Sequence, residues 1–513
     1  MKKLLSLVLA AAVMLGIIGG VLAEDAIQTE PARFVIRSNS NKENKTENDK
    51  IKSLIEEKSG VDFEVIVVAE NTWHEKVNVM VAGSEKFDTI NLTASGGVWS
   101  NYASNGAIQP FTPELLQKYL PNIMAMMPEE AWVPCKDAEG NIWALPRHEA
   151  FTAGGVPSIR TDWLEKLGLG MPSTLAELET YFEGVKTQDV NGNGDPNDEY
   201  GYIPYFQSLF SGPLHVYYLG TKGDCNNEDR YLDEDGTIMP WYMHENAWGL
   251  VSKAAEWYQK GYINQDYLTM TNETANDMGA ADRIGMCSGW YNMGLQGTER
   301  LVAANPDSTC SWAAIPNFTD AVSGVNAWGG NPKYMAEVAL SSTSTDPQWA
   351  LKLLDWIYAS EENYMLATYG IQGDHYILTE DGKAFTQPDG ATDRYMLEYQ
   401  LLEWYDYSKY PEPLFSKETS TWRQYTAWQM RKQIEQGIQT IAPFDYYVPY
   451  DLNGTDAEFL TDDALTLIKE AMEKALIGDL TNEEWNQTVN TAWEIDGKIR
   501  SAVWTEQYHN FVD

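Results

Sequence analysis

The segment Asp189-Val190-Asn191-Gly192-Asn193-Gly194-Asp195-Pro196-Asn197-Asp198-Glu199 sets oxygen-bearing side chains at its first, third and fifth positions and a glycine at its sixth. Alternate residues of such a loop turn toward one centre, hard oxygens gathered there suit calcium, and the glycine permits the sharp bend of an EF-hand-type loop. Asp189, Asn191, Asn193, Asp195, Asp198 and Glu199 are the candidate ligands of a structural Ca2+. A full loop ends in a bidentate Glu at its twelfth place. Here Tyr200 stands there, so Asp198 or Glu199 must close the site. The plainer reading is an ordinary Asn/Gly turn; calcium is favoured because the oxygens cluster without a lysine or arginine in the loop.

Nineteen tryptophans and 29 tyrosines are more than a core of this size needs, since each carries a polar atom that must find a partner when buried. Flat rings suit the C–H faces of pyranose sugars, whose hydroxyls then seek Asp, Asn, Arg and Gln at the rim. Trp163, Trp257 and Trp356 fall on amphipathic helices and read as packing. Trp99, in Thr93-Ala94-Ser95-Gly96-Gly97-Val98-Trp99, Trp290 with Tyr291 after Cys287-Ser288-Gly289, and Trp328 in Asn326-Ala327-Trp328-Gly329-Gly330 sit in glycine-rich or polar stretches. Cleft and core suit these equally. Trp143 also fits an alternating strand, and Arg147, His148 and Glu149 after it offer charged hydrogen bonds at a rim or plain surface ion pairs. The candidate ligand contacts are thus Trp99, Trp143, Arg147, Trp290, Tyr291 and Trp328.

The elements that must position these residues alternate. Phe34-Val35-Ile36, a helical pattern from Ile51 to Lys58, Val61 to Val68, a helix from Trp73 to Ala82 and Thr89 to Leu92 give strand-helix-strand units, which predict a parallel sheet with helices on its faces. Ala247 to Lys260, Pro347 to Ala359 and Leu465 to Leu476 carry amphipathic stripes. At the start, Lys2 and Lys3 precede an apolar run from Leu4 to Ala23. That is the pattern of an export signal, cleaved before Glu24; an uncleaved anchor is the alternative. A formal charge of −39 argues against nucleic acid as a partner. Cys135, Cys225, Cys287 and Cys310 have no metal-binding spacing, and Cys287 with Cys310 is the first guess for a disulfide among the three possible pairings.

Asn141-Ile142-Trp143-Ala144-Leu145-Pro146 followed by Ser158-Ile159-Arg160-Thr161-Asp162-Trp163-Leu164-Glu165-Lys166-Leu167-Gly168 resembles the paired segments of extracellular solute-binding proteins of bacterial ABC importers, the oligosaccharide-binding lipoproteins in particular. Tyr258-Gln259-Lys260-Gly261-Tyr262-Ile263, Ile284-Gly285-Met286, Asp355-Trp356-Ile357-Tyr358 and Tyr369-Gly370-Ile371-Gln372-Gly373 are similar to further segments of that family. The resemblance implies an α/β fold of two periplasmic-binding-protein-like lobes, joined by a hinge and closing over a ligand in the cleft between them. The corresponding division is a signal peptide (1–23), a mobile leader (24–32), the first part of lobe 1 (33–145), mainly lobe 2 (146–345), and a helical return to lobe 1 with C-terminal helices (346–513). It further implies an exported, monomeric protein at the surface of a Gram-positive-type bacterium, which captures an oligosaccharide or similar polar solute for ABC permease subunits. Shortened calcium loops recur in the family. The lipid-attachment cysteine expected just after the signal is not found, since the first cysteine is Cys135.

Two other readings stand beside this one. A secreted glycoside hydrolase needs two carboxylates about 5–10 Å apart, and no residue pattern singles out such a pair. A sensor of the same fold would bind a sugar without transport. Aromatic and acidic richness favours a neutral or cationic solute over an acidic one, which would call for several Arg or Lys in the loops.

Overall fold

The computed structural model describes residues 27–512 apart from 39–44, 70–71, 93–97, 138, 150–155, 205–209, 211, 222–228, 288–299, 303–304, 306, 331, 389–398, 400, 415–430, 446, 449, 451 and 453. Its principal sheet is built from β1 (Ala32–Ser38), β2 (Phe63–Ala69), β3 (Thr89–Asn91), β4 (Ile108–Gln109), β5 (Ala144–His148) and, far along the chain, β12 (Tyr334–Ser341). The order is β2-β1-β3-β12-β4, with β5 also on β12. β1 pairs parallel with β2 and β3, as the strand-helix-strand reading requires, whereas β12 runs antiparallel to β3, β4 and β5. Side chains alternate across the sheet. Phe34 and Ile36 enter one core with Ile51, Leu116, Leu351 and Leu354, and Val35 enters another with Val77, Ile90 and Trp99. Helices therefore cover both faces of the sheet.

A second unit is centred on β6 (Ser158–Arg160), which lies between β9 (Met286–Cys287) and β10 (Trp312–Ala314). Its helices begin and end where the sequence supplies caps. Thr174 accepts from Glu177 N to open Leu175–Thr187, and Gly168 closes Thr161–Leu167 in the left-handed conformation at φ 68°. Trp163, Tyr181, Phe182 and Trp257 form its core. Smaller pieces complete the chain: the hairpin β7 (Arg230–Leu232) with β8 (Ile238–Pro240), β11 (Trp328–Gly329) paired with β16 (Thr440–Ile441), and a sheet of β13 (Ile377–Leu378), β14 (Ala384–Thr386) and β15 (Glu412–Pro413). The later helices divide between the cores. Gln348–Tyr358 and Glu361–Tyr369 pack in the first unit, while Asp463–Leu476 and Asn482–Ala492 pack in the second.

Cys135, Cys287 and Cys310 are buried, and Cys287 and Cys310 are not bridged to each other, which corrects the guessed pairing. Cys287 is on β9 and Cys310 precedes β10, on opposite sides of β6. Two strand spacings come to roughly 10 Å, beyond the reach of a disulfide. Cys225 lies outside the described residues. Among the described residues no helix is long and apolar enough to cross a membrane.

Candidate functional site

β3 stops at Asn91, opposite Val338, but β5 and β12 continue past it as a ribbon in which Tyr334 to Ala336 face Pro146 to His148. A third extended segment joins its edge: His148 N donates to Glu403 O at 3.1 Å, and Tyr405 N donates to His148 O at 3.0 Å. Two connections between the units leave this ribbon side by side, since Glu149 N donates to Lys333 O at 2.8 Å. It lies at the end of the sheet where β1, β2 and β3 terminate, the end at which open α/β sheets take ligands.

Arg147 is buried in the ribbon, with Nη1 3.1 Å from Glu403 and Nη2 2.5 Å from Glu149. Ala336 faces Pro146 and Val338 faces Leu145, so Glu337 is an extra residue in a β-bulge. Bulges re-aim side chains, and here the Glu337 carboxyl is turned inward, accepting from Glu403 N at 2.7 Å and Asn91 Nδ2 at 3.4 Å. Burial, reinforced by the like charge of Glu403, pushes its pKa up to about 8. His148 packs against Tyr334 and Trp404, with ring centroids 5.4 and 5.0 Å away. Burial, with the positive charge of Lys333, pulls the imidazole down to about 4, so it is neutral. Sequence reasoning missed Glu337, Glu403 and Trp404. Only Glu337 left a trace, as a lone charge in an apolar strand.

The expected tryptophans are placed differently from one another. Trp99 is only 4 % exposed; its N–H donates to Pro134 O at 2.9 Å and its ring stacks on Trp143 at 6.0 Å. Trp143 is half-buried, and its N–H donates to Asp137 Oδ2 at 2.7 Å. Trp328 is not in a loop: it belongs to β11, is 2 % exposed, donates to Ile315 O at 2.8 Å and packs edge-on to Phe318. Its ring and its N–H are both engaged by the second core, which makes it a packing residue. Trp290 and Tyr291 lie outside the described residues.

In the Asp189–Glu199 loop the backbone bends through Gly192 and Gly194, at φ 77° and 93°. The two Asp189 oxygens accept from Gly192 N and Gly194 N, Asn191 Oδ1 from Asn193 N, and Asn193 Oδ1 from Asp195 N. Asn191 and Asn193 both donate to Asp198, which is also paired with Arg283 at 2.9 Å. The sequence reading, confined to the loop, left out this cation. Glu199 is 3 % exposed. One of its oxygens accepts from Asn191 N, and the other is buried with no hydrogen-bond partner among the described residues. Burial, with Asp198 and Asp189 nearby, raises its pKa. Among the described residues no three His, Cys, Asp or Glu side chains converge as a metal cluster, so these ligands would have to draw together around a cation. The unsatisfied Glu199 oxygen and the oxygen-bearing side chains along the loop fit one.

No protein-family model matches the chain. Lipoprotein LipO of Bacillus subtilis is 23% identical over 88% of this chain and 87% of its own length. The fructooligosaccharide ABC transporter substrate-binding protein FusA of Streptococcus pneumoniae is 28% identical over 38% of each. Among solved structures, an HMO-binding ABC-transporter-associated solute-binding protein of Bifidobacterium longum infantis superposes with a TM-score of 0.69 at 16% identity, covering 95% of this chain and 100% of its own. FusA in complex with kestose gives 0.64 at 18% identity, covering 94% and 99%. The fold is that of the ABC-transporter solute-binding proteins. The two units are accordingly its lobes, and two connections between them run side by side at the ribbon.

Proposed function

We propose that the chain is the extracellular substrate-binding component of an ABC importer, that it captures an oligosaccharide between its lobes, and that it hands this solute to permease subunits in the membrane. The observation that carries this reading is the two-lobed fold, shared along nearly the whole chain with proteins described as binding saccharides. The basic, then apolar, N-terminal segment supports export. Of the candidate tryptophans within the described residues, Trp143, stacked on Trp99, is the one left partly exposed. The test is calorimetric titration with neutral oligosaccharides, followed by analysis of the sugar. Saturable binding and an intact ligand are expected, and release of shorter products would turn the reading toward a hydrolase.

The Asp189–Glu199 loop is proposed to hold a structural calcium ion, with Asp189, Asn191, Asn193, Asp195, Asp198 and Glu199 as its ligands. An ion there would satisfy the orphaned Glu199 oxygen and tie the loop to the segment carrying Arg283. A FusA variant described as an EF-hand mutant and an alginate-binding protein AlgQ2 described without calcium ion share the fold, which is consistent with such a loop.

A further inference from the structure

The carboxylate of Asp198, a candidate calcium ligand, is already clasped by a cation of the chain itself. Its Oδ2 accepts from Arg283 Nε and Arg283 Nη2, each at 2.9 Å, and from Asn193 Nδ2 at 3.0 Å, while Oδ1 accepts from Asn191 Nδ2 at 3.3 Å. One carboxylate oxygen offers about two lone-pair directions, so with Arg283 in place Oδ2 has none to spare for a metal ion. Its neighbour Glu199 is the reverse case. Glu199 Oε2 is buried with no hydrogen-bond partner among the described residues, and an orphaned oxygen of this kind calls for a donor or a cation. The loop therefore holds one carboxylate oxygen suited to an ion beside another that a guanidinium already occupies.

The backbone beneath Arg283 is pinned, and its side chain is not. Asp282 stands at φ 60°, which residues other than glycine seldom adopt, and it is held there from two sides. Its carboxylate accepts from Arg160 Nη1 at 2.5 Å and its carbonyl from Asn191 Nδ2 at 3.1 Å. Arg283 N donates to Met278 O at 3.0 Å, and Arg283 O accepts from Tyr200 N at 2.9 Å. Beyond this anchored backbone the Arg283 side chain is 43 % exposed, so its guanidinium can leave Asp198 for water by turning about its own bonds. An ion on Asp198 would lie roughly 5 Å from that guanidinium, since calcium–oxygen distances are about 2.3–2.6 Å, and like charges at such a distance repel. Two roles for Arg283 then differ in sign. As a strut that holds Asp198 ready for the ion, its loss weakens calcium binding; as a rival for the same oxygen, its loss strengthens it. The saturated Oδ2 favours the rival.

We propose that Arg283 is a built-in competitor of calcium: it holds Asp198 when the ion is scarce, yields the carboxylate when the ion binds, and so sets how much calcium the loop requires. This rests on the calcium reading of the loop and names the residue that tunes it. The experiment compares metal-stripped wild type, Arg283→Gln and Arg283→Lys, measuring the Kd for calcium by calorimetry and the melting temperature in EDTA and in calcium. Arg283→Gln keeps a donor and loses the charge. It should bind calcium about tenfold more tightly, the scale of one removed charge repulsion, melt below wild type in EDTA and gain more from added calcium. Arg283→Lys keeps the charge and should bind as wild type does. Equal or weaker binding by Arg283→Gln makes Arg283 a strut and overturns the proposal, as does equal tightening in both variants, which would show that the charge is not the cause. Should Arg283→Gln fold only in calcium, competition with a chelator of known affinity reads its Kd; a variant that does not fold even in calcium overturns the proposal, because the ion then cannot stand in for the guanidinium. If neither wild type nor any variant binds calcium, it is the calcium reading beneath that falls.

Discussion

Ionising a carboxyl group inside a strand is costly, and the bulge that turns Glu337 inward makes its proton part of the fold. The folded protein holds that proton up to about pH 8, against the ordinary 4.5. Between those values the folded state binds it more tightly than the unfolded chain does, so this contribution to stability is complete below 4.5 and is lost as pH rises to 8. His148 acts in the opposite sense. Its depressed pKa, about 4 against 6.5, removes stability as pH falls from 6.5 toward 4. The two oppose each other at mildly acidic pH, and of the pair Glu337 acts alone above 6.5. Urea unfolding from pH 6.5 to 8.5 should therefore show wild type losing stability while Glu337→Gln, which keeps the shape and drops the charge, loses less and is the more stable of the two at pH 8. Equal slopes would show that the buried acid does not govern this window. The network was not legible in the sequence: Arg147 stands out as a charge after a strand and Glu337 as a charge among Tyr334, Met335, Val338 and Leu340, but Glu403, which bonds to both, arrives only through tertiary pairing.

Elements whose signals are local were legible. The first strand-helix-strand units and the helices read at Ala247 to Lys260, Pro347 to Ala359 and Leu465 to Leu476 all follow from residues within a few positions of one another. β12 and β11 were not, because their partners lie far away in the chain; Trp328 looks like a loop residue until Thr440 pairs with it. The Asp189–Glu199 loop falls between these cases. Its oxygens and glycines were readable in order, while Arg283, which neutralises Asp198, arrives from another segment. This neutralisation bears on what metal removal should do. With Arg283 present the empty loop keeps a counter-charge, so chelation should loosen it without unfolding the lobe. EDTA should lower the melting temperature by a few degrees, calcium should restore it, and Asp189→Ala should respond to neither. A wild type that ignores EDTA and contains no metal by elemental analysis would dismiss the ion.

At the scale of the molecule, the buried apolar residues fall into separate clusters. The second lobe's core, with Trp163, Phe182, Trp257 and Ile468, shares no residue with the cores on the two faces of the principal sheet. The helices Asp463–Leu476 and Asn482–Ala492 belong to that second core, and Tyr334–Ser341 and Gln348–Tyr358 to the first unit, so both lobes are assembled from segments distant in sequence. Cores linked in this way need not unfold as one. Ligand-free protein should show two calorimetric transitions. Trp257→Ala, which removes a fully buried ring and its hydrogen bond to Glu179, should lower one of them, at a cost of roughly 3–5 kcal/mol, and leave the other in place. Leu354→Ala in the first lobe should lower the other, by about 2–5 kcal/mol. A ligand gripped by both lobes couples them. At about 100 times its Kd it stabilises the bound form by roughly 2.7 kcal/mol, and because neither lobe can unfold without releasing it, the two transitions should move up together and merge. If the ligand raises one transition alone, it is held by a single lobe, and the interlobe cleft is not where this protein takes its solute.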